Sequence, residues 1–482
     1  LQSVQKIAQK QKITDTAGDD RDIVAMAKPI TKYAVQIRNP EDIVEELNKA
    51  YHIATTGRRG PVLIDLPMNI QRSEVENPVY DMTFEDKHTD AAAAQQAADT
   101  ILEALEQAKR PVIMLGHGVD SSFSQQKLIR FAQKRQIPII TSVLAKSVLG
   151  YDHPLNFGCI GGAYGHRYAN MIANAKSDLL LCFGISLCTR QIGTKVHEFA
   201  RGAKIIRIDI DPYNLQRDIH ENGENEVKLQ AETGAVIDCL AKVDDPDIEG
   251  VSDWLNVCTE IKENLQAVDD ATPERYPNRM IADLSDMLED TSAIAVDVGQ
   301  HMVWSYQSFK NHEGQKLLFS GGHGAMGYGL PAAIGAYYAT GKPTACICGD
   351  GALQMNIQEL EWVKRENLPI KIMVMNNEAL GMIRHLQRDY FDCLFAGTTD
   401  GCGFASCDFA GVAKAYGIPA LRMHCDAVKE EAPEFLEGEG PKLLEVMLEH
   451  GTFAYPKTCL GEPIHNQQPY APKEVYDRLM EL

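Results

Sequence analysis

At 482 residues the chain is long enough for about three domains, each with its own core. Its composition, 44% hydrophobic and 24% charged, describes a soluble globular protein. A net charge of −20, with no basic block, excludes a nucleic-acid or anionic-membrane surface, and no apolar run of about eighteen residues exists to cross a membrane. The 12 cysteines are scattered, several inside apolar runs (Cys182, Cys346, Cys348), with no CxxC pair for zinc. A reducing, cytoplasmic setting is expected. Residue 1 is Leu and no signal-like segment follows, so the chain is expected to begin inside a longer protein.

In chain order, residues 1–27 read as a loop plus a helical turn, and 29–37 as an extended run. Pro40-Glu41-Asp42 opens a helix with Ile43, Val44, Leu47, Ala50, Tyr51 and Ile53 on its apolar side, ended by Gly57. Gly60-Pro61 leads into a buried strand at 62–67. Residues 71–91 are polar and turn-rich, a linker. A helix over 92–108 and strands at 111–115, 137–141, 179–183 and 204–210 predict a doubly wound parallel-sheet domain over 90–245. Gly116-His117-Gly118, after the first of these strands, reads as half of a dinucleotide fingerprint lacking its third Gly, which leaves an NAD-dependent oxidoreductase as an alternative. Residues 246–275 read as an acidic linker and a surface helix over 254–265.

A third α/β domain, 270–450, opens with a helix over 280–288 and a strand over 293–297 that runs into Val298-Gly299-Gln300-His301, where Gln and His are donors suited to phosphate oxygens. A glycine-rich loop, 321–331, leads into an Ala-rich helix over 332–340; by itself Met326 is simply a core filler. The apolar run 344–348 ends in Gly349-Asp350-Gly351. A helix-period segment follows (Ile357, Leu360, Trp362, Val363), then a second apolar run, 370–375, ending in Asn376-Asn377. Strand, helix, strand places both polar clusters on one carboxyl rim of a parallel sheet. The glycines admit backbone N–H groups to an anion, and Asp350, Asn377 and a backbone carbonyl form a hard oxygen set suited to Mg²⁺ and diphosphate. Alone, Gly-Asp-Gly is also an ordinary turn between strand and helix. The rest reads as a Gly- and Cys-containing loop over 397–407, a helix over 409–415, a strand over 442–447 and a polar tail, 451–482.

The GDG…NN spacing, VDVGQH at 296–301, the glycine loop, and KPITKYAV (28–35) with TGRRGPVLIDLP (56–67) together resemble the thiamine-diphosphate (ThDP) enzymes of the acetolactate synthase type. The resemblance implies successive doubly wound α/β domains, with 1–75 the end of a pyrimidine-binding domain, and a tail that can close over the active site. It implies ThDP and Mg²⁺ as cofactors, decarboxylation of a pyruvate-type 2-oxo acid with carbon–carbon bond formation, and a homodimer or homotetramer with active sites at subunit interfaces. Asp350, Asn377 and the carbonyl of Ala379 are the implied metal ligands. Gly299, Gln300, His301, Gly324, Ala325, Gly349, Gly351, Ala352, Gly381 and Met382 are the implied cofactor contacts, with Met326 propping the cofactor in a bent form. The activating Glu would lie upstream of Leu1, since Glu41, Glu45, Glu46 and Glu74 fall after its usual place; a ThDP-binding partner subunit without catalysis is therefore the alternative. Several members bind FAD in the middle domain; here 184–193 keeps Arg190 but has Ser186 and Thr189 where flavin-binding relatives usually show Arg and Asp. His385-Leu386 stands where many members have Gln-Trp, the Trp shaping the acceptor pocket.

Overall fold

Apolar runs covered on both faces build the two large sheets of the computed structural model, which describes residues 22–76, 90–119, 121–243, 251–269 and 272–482. The expectations for 1–21, the middle of the 71–91 linker and the acidic run 244–249 lie outside the described residues.

The first unit is small: β1 (Tyr33–Gln36) pairs in parallel with β2 (Val62–Asp65), joined through α1 (Ile43–Thr55). The expected extended run over 29–37 is shorter than predicted. Lys28–Ile30 forms a 3-10 turn first, because Pro29 has a fixed φ and no N–H to give a strand ladder.

In the middle unit α2 (Ala91–Gln107) starts at Asp90, whose carboxylate accepts from the N–H groups of Ala92 and Ala93. Its Ala94, Ala97, Ala98, Ile101 and Ala104 recur at helical spacing and are buried in the core of the sheet behind them. The strands are β3 (Pro111–Leu115), β4 (Ile139–Thr141), β5 (Asn156–Cys159), β6 (Leu179–Phe183), β7 (Lys204–Asp209) and β8 (Glu226–Gln230). Their order is β5-β4-β3-β6-β7-β8, all parallel, so the chain reverses its direction of travel across the sheet between β3 and β6. At that reversal Gly116 and Gly118 close on Gly184: a Cβ on Gly116 would stand 2.0 Å from the Gly184 carbonyl oxygen. These glycines, read as half of a dinucleotide fingerprint, serve the contact between two loops.

The third unit holds β9 (Ala293–Val296), α3 (Gln300–Ser308), β10 (Lys316–Phe319), α4 (Gly329–Thr340), β11 (Thr344–Gly349), α5 (Asp350–Gln354), β12 (Ile370–Asn376), α6 (Gly381–Tyr390), β13 (Ala420–His424) and β14 (Lys442–Met447). Its sheet, β10-β9-β11-β12-β14-β13, is again parallel throughout. The helical segment expected after β11 is two pieces, α5 and Glu359–Arg365. Trp362, expected on its apolar side, is instead 39% exposed, with its Nε1 donating to the Tyr338 hydroxyl at 3.1 Å.

The units are stitched by amides. Gln307 Nε2 donates to the carbonyls of Tyr164 and Pro456, and Asn311 Nδ2 to that of Leu149. The tail differs from a simple closing segment. Only its beginning lies against α6, where Lys457 pairs with Asp389 and Arg388 donates to the Tyr455 hydroxyl; its final helix, Lys473–Glu481, buries Leu479 in the middle core. All 12 cysteines are free thiols. No helix among the described residues is long and apolar enough to cross a membrane.

Candidate functional site

Strands β9, β11 and β12 are neighbours in the sheet, so their carboxyl ends carry residues 297–301, 349–352 and 376–381 to one rim. Asp350 is 4% exposed, and its hydrogen-bond partners are backbone: Oδ1 accepts from Gly351 N at 2.9 Å and Oδ2 from Ala379 N at 3.1 Å. Burial pushes its carboxyl up to about 6 against the pull of those two donors, as expected for a buried carboxylate short of positive charge.

Asn377, also buried, donates from Nδ2 to Gln300 Oε1 at 2.9 Å, which leaves its own Oδ1 as an acceptor toward the rim. Between Asn377 and Ala379 the chain doubles back through Glu378 at φ 53°, a left-handed conformation that a Glu rarely adopts. That reversal points Ala379 N at Asp350. The other asparagine is spent on structure: Asn376 Oδ1 accepts from Glu378 N at 3.0 Å, and its Nδ2 donates to the buried Glu445 at 2.7 Å.

Across the rim, α3 starts with Gln300 and His301, both 4% exposed. Burial pushes the His301 imidazole down to about 4 in spite of the nearby Asp297 carboxylate, so the ring is neutral. The Nε2 atoms of Gln300 and His301 are buried without a hydrogen-bond partner. Two orphaned polar atoms beside an underneutralised carboxylate fit a ligand that brings both phosphate oxygens and a hard cation.

The glycine loop is held by a residue that sequence reasoning passed over. Asp297, at the end of β9 and 1% exposed, accepts from Val298 N (2.7 Å) and Gly327 N (3.0 Å) through Oδ1 and from Gly329 N (2.7 Å) through Oδ2. An acid one step beyond an apolar strand and ahead of a glycine loop was its only signal. The loop so fixed lays Met326 over the Gly-Asp-Gly turn, where a Cβ on Gly351 would stand 3.2 Å from the Met326 methyl. Gly324 and Ala325 precede it on the same loop, with Gly324 at φ 78°.

Two family models match. The thiamine pyrophosphate enzyme C-terminal TPP binding domain covers residues 297–446, and the thiamine pyrophosphate enzyme central domain covers 98–240. The chain is 34% identical over 457 residues to a probable acetolactate synthase large subunit of Methanocaldococcus jannaschii, spanning 91% of this chain and 75% of that protein. The chain belongs to the acetolactate synthase family of thiamine pyrophosphate enzymes. Similarity extends to the acetolactate synthase isozyme 1 large subunit of Escherichia coli (31% over 447 residues, 91% of this chain and 76% of that one) and to the chloroplastic acetolactate synthase 1 of Oryza sativa subsp. japonica (32% over 469 residues, 94% and 71%).

Within this acetolactate synthase-type rim the expected residues fall into two groups. Asp350 with Ala379, and Gln300 with Asn377 and Gly381, form one group by direct contact, and His301 with Gly299 and Gly349 form the other. Gly381 is fixed by crowding: a Cβ there would lie 2.2 Å from Gln300 Oε1 and 2.7 Å from Asn377 Nδ2. Gly381→Ala is therefore expected to break the Gln300–Asn377 bond and weaken ThDP binding about tenfold, roughly the upper end for one neutral hydrogen bond. Calorimetric titration checks it, and a loss under twofold would show that this amide pair does not matter for the cofactor.

Proposed function

We propose that Asp350, the side-chain oxygen of Asn377 and the carbonyl of Ala379 hold Mg²⁺, which links the chain to the diphosphate of ThDP. The observation that carries this reading is a buried Asp350 carboxylate on the same sheet rim as Gln300 and His301, whose Nε2 atoms are buried and unpartnered. Glycines at 299, 349 and 351 let the backbone come close to phosphate oxygens, and Met326 offers an apolar prop above Gly351. When bound, ThDP supplies the electron sink that lets a pyruvate-type 2-oxo acid lose CO₂ and its remaining two-carbon unit join an acceptor. The chain's own part is to anchor, orient and desolvate. Neutral His301 adds no positive charge to repel the metal, and Gln300, bonded to the proposed metal ligand Asn377, has its Nε2 left unpartnered.

In this reading 1–75 belongs to a pyrimidine-binding unit, 90–245 is the central domain and 270–450 the diphosphate domain, with the tail bracing α6. Active sites form where two copies meet, in a homodimer or a tetramer of dimers. Helix α4 supports this, because it has no charged residue, yet Tyr338 on it is 56% exposed. The free thiols favour a reducing, cytoplasmic setting. FAD is left out of the reading: Arg190 donates instead to the carbonyls of Gly321 and Gly322, and Ser186 and Thr189 bring no charge pair.

The test is CO₂ release from pyruvate. It is expected to require both ThDP and Mg²⁺ and to vanish on chelation. Release that ignores either cofactor, or turnover that instead reduces NAD⁺, would overturn the reading.

A further inference from the structure

Behind the rim a buried carboxylate on β14 ties together β12, β13 and the helix Phe409–Ala415. Glu445 stands opposite Val374 of β12 and Arg422 of β13, and its side chain is fully buried. Its two oxygens accept four hydrogen bonds. Oε1 takes Asn376 Nδ2 at 2.7 Å and Arg422 Nη2 at 2.9 Å, while Oε2 takes Arg422 Nε and Ala410 N, both at 2.9 Å. The two-pronged contact from Arg422, a half-exposed side chain, supplies the charge that keeps a carboxylate in this place.

An ionised carboxylate accepts hydrogen bonds and cannot donate, so Glu445 admits only the NH₂ side of the Asn376 amide. That leaves Asn376 one orientation. Its Oδ1 faces away from Glu445 and accepts from Glu378 N at 3.0 Å and from the Ser406 hydroxyl at 3.2 Å. The bond from Glu378 N closes the turn in which Glu378 stands at φ 53°, and the same turn aims Ala379 N at Asp350 Oδ2. Asn377 and the Ala379 carbonyl, the two neutral members of the proposed donor set, both belong to this turn. Its far end is tied separately, where Leu380 N donates to the Thr398 carbonyl at 2.9 Å.

We propose that Glu445 is a positioning residue for the metal. By admitting only donors it sets which way the Asn376 amide faces, and that amide holds the turn that presents Asn377 and the Ala379 carbonyl. The inference rests on the assignment of Asp350, Asn377 and Ala379 to Mg²⁺. Glu445→Gln offers an NH₂ group to Asn376, so the amide has to turn over and Glu378 N loses its acceptor. Asn376→Asp sets two carboxylates against each other. Asn376→Asp combined with Glu445→Gln restores the pattern with its direction reversed, because the amide now at 445 donates to the carboxylate now at 376, which still accepts from Glu378 N. Arg422 keeps Asp408, 3.7 Å away, as a second partner.

The test titrates ThDP by calorimetry on the full chain, once with Mg²⁺ and once with Ca²⁺, alongside thermal unfolding of the cofactor-free protein. Each single variant is expected to weaken Mg²⁺-dependent binding at least about tenfold but Ca²⁺-dependent binding less than about threefold, because Mg²⁺ demands near-ideal octahedral ligands and Ca²⁺ tolerates displaced ones. The double variant is expected to return to within about threefold of wild type with both ions. Single variants that lose stability yet keep the wild-type preference between the two ions would reduce Glu445 to a structural ion pair and overturn the proposal. A double variant no better than the single ones would overturn it too. Should neither single variant fold, the double variant decides alone, with wild-type-like Mg²⁺-dependent binding supporting the proposal and a loss of about tenfold or more overturning it. Wild-type protein that binds ThDP with neither ion would overturn the metal assignment, and this inference with it.

Discussion

Asp350→Ala is expected to reduce Mg²⁺-dependent ThDP affinity by at least about a hundredfold, the loss that follows when the one carboxylate of a metal site is removed. Asn377 and the Ala379 carbonyl are neutral, so Asp350 supplies all the formal charge of the proposed donor set. The folded protein is expected to tolerate the change. The carboxylate is buried at a cost visible in its upward shift to about 6, and relief of that cost offsets part of the loss of its two backbone bonds. Asp350→Asn separates charge from shape, since it keeps an acceptor for Ala379 N, and it is expected to bind ThDP nearly as poorly as the alanine variant. Calorimetric titration with and without Mg²⁺, paired with thermal unfolding of the cofactor-free protein, reads both effects. Affinity within a few-fold of wild type would move the metal away from this strand end.

The second large effect belongs to Asp297, which reaches the cofactor only through the loop it holds. Asp297→Ala leaves the N–H groups of Val298, Gly327 and Gly329 without their acceptor in a buried site, and a loss of roughly 3–5 kcal/mol is expected from three charge-assisted bonds only partly replaced by water. Asp297→Asn keeps one acceptor oxygen and is expected to cost roughly 1–3 kcal/mol. Urea unfolding measures the loss. Cofactor titration of the asparagine variant should also show weaker ThDP binding, because the loop that lays Met326 over Gly351 is no longer pinned at both glycines. Stability within about 1 kcal/mol of wild type in the alanine variant would mean that the loop holds itself, and that the three bonds are incidental.

The candidate site was legible in the sequence wherever local chemistry fixes it. A glycine on each side of Asp350 at a strand end, and an asparagine pair at the next strand end, already put both groups on one rim. The sequence did not distinguish the roles of the two asparagines by itself. Asn376 is spent on Glu378 and Glu445, and only Asn377 faces Gln300, a division set by the left-handed turn at Glu378 and by a strand contributed some 70 residues later. Asp297 was hidden for a similar reason. Nothing near it in the chain shows that its three partners include Gly327 and Gly329, which the topology carries back over the end of β9.

The strands divide in the same way. Strands β3, β6, β11 and β12 stand out as uninterrupted apolar runs because both faces are covered by helices, and a period of burial is written directly into neighbouring residues. The unpredicted strands of the two large sheets are β5, β8, β10 and β13, with sequences NFGC, EVKLQ, KLLF and ALRMH, and these are the four edges. An edge strand bonds to one neighbour only, and in β8, β10 and β13 polar residues reach water, so no apolar run announces them. Strand β5 is buried throughout but too short, with Asn156 and Gly158 in its four residues, to read as one. The sequence by itself determined the parallel α/β core and the residues at its rim, through periodicity and turn chemistry that act over a few residues. Only the tertiary structure decided the sheet edges, the anchor under the glycine loop and the carboxylate behind Asn376, because each depends on partners far apart in the chain, whose contacts exist only once loop closure has brought them together.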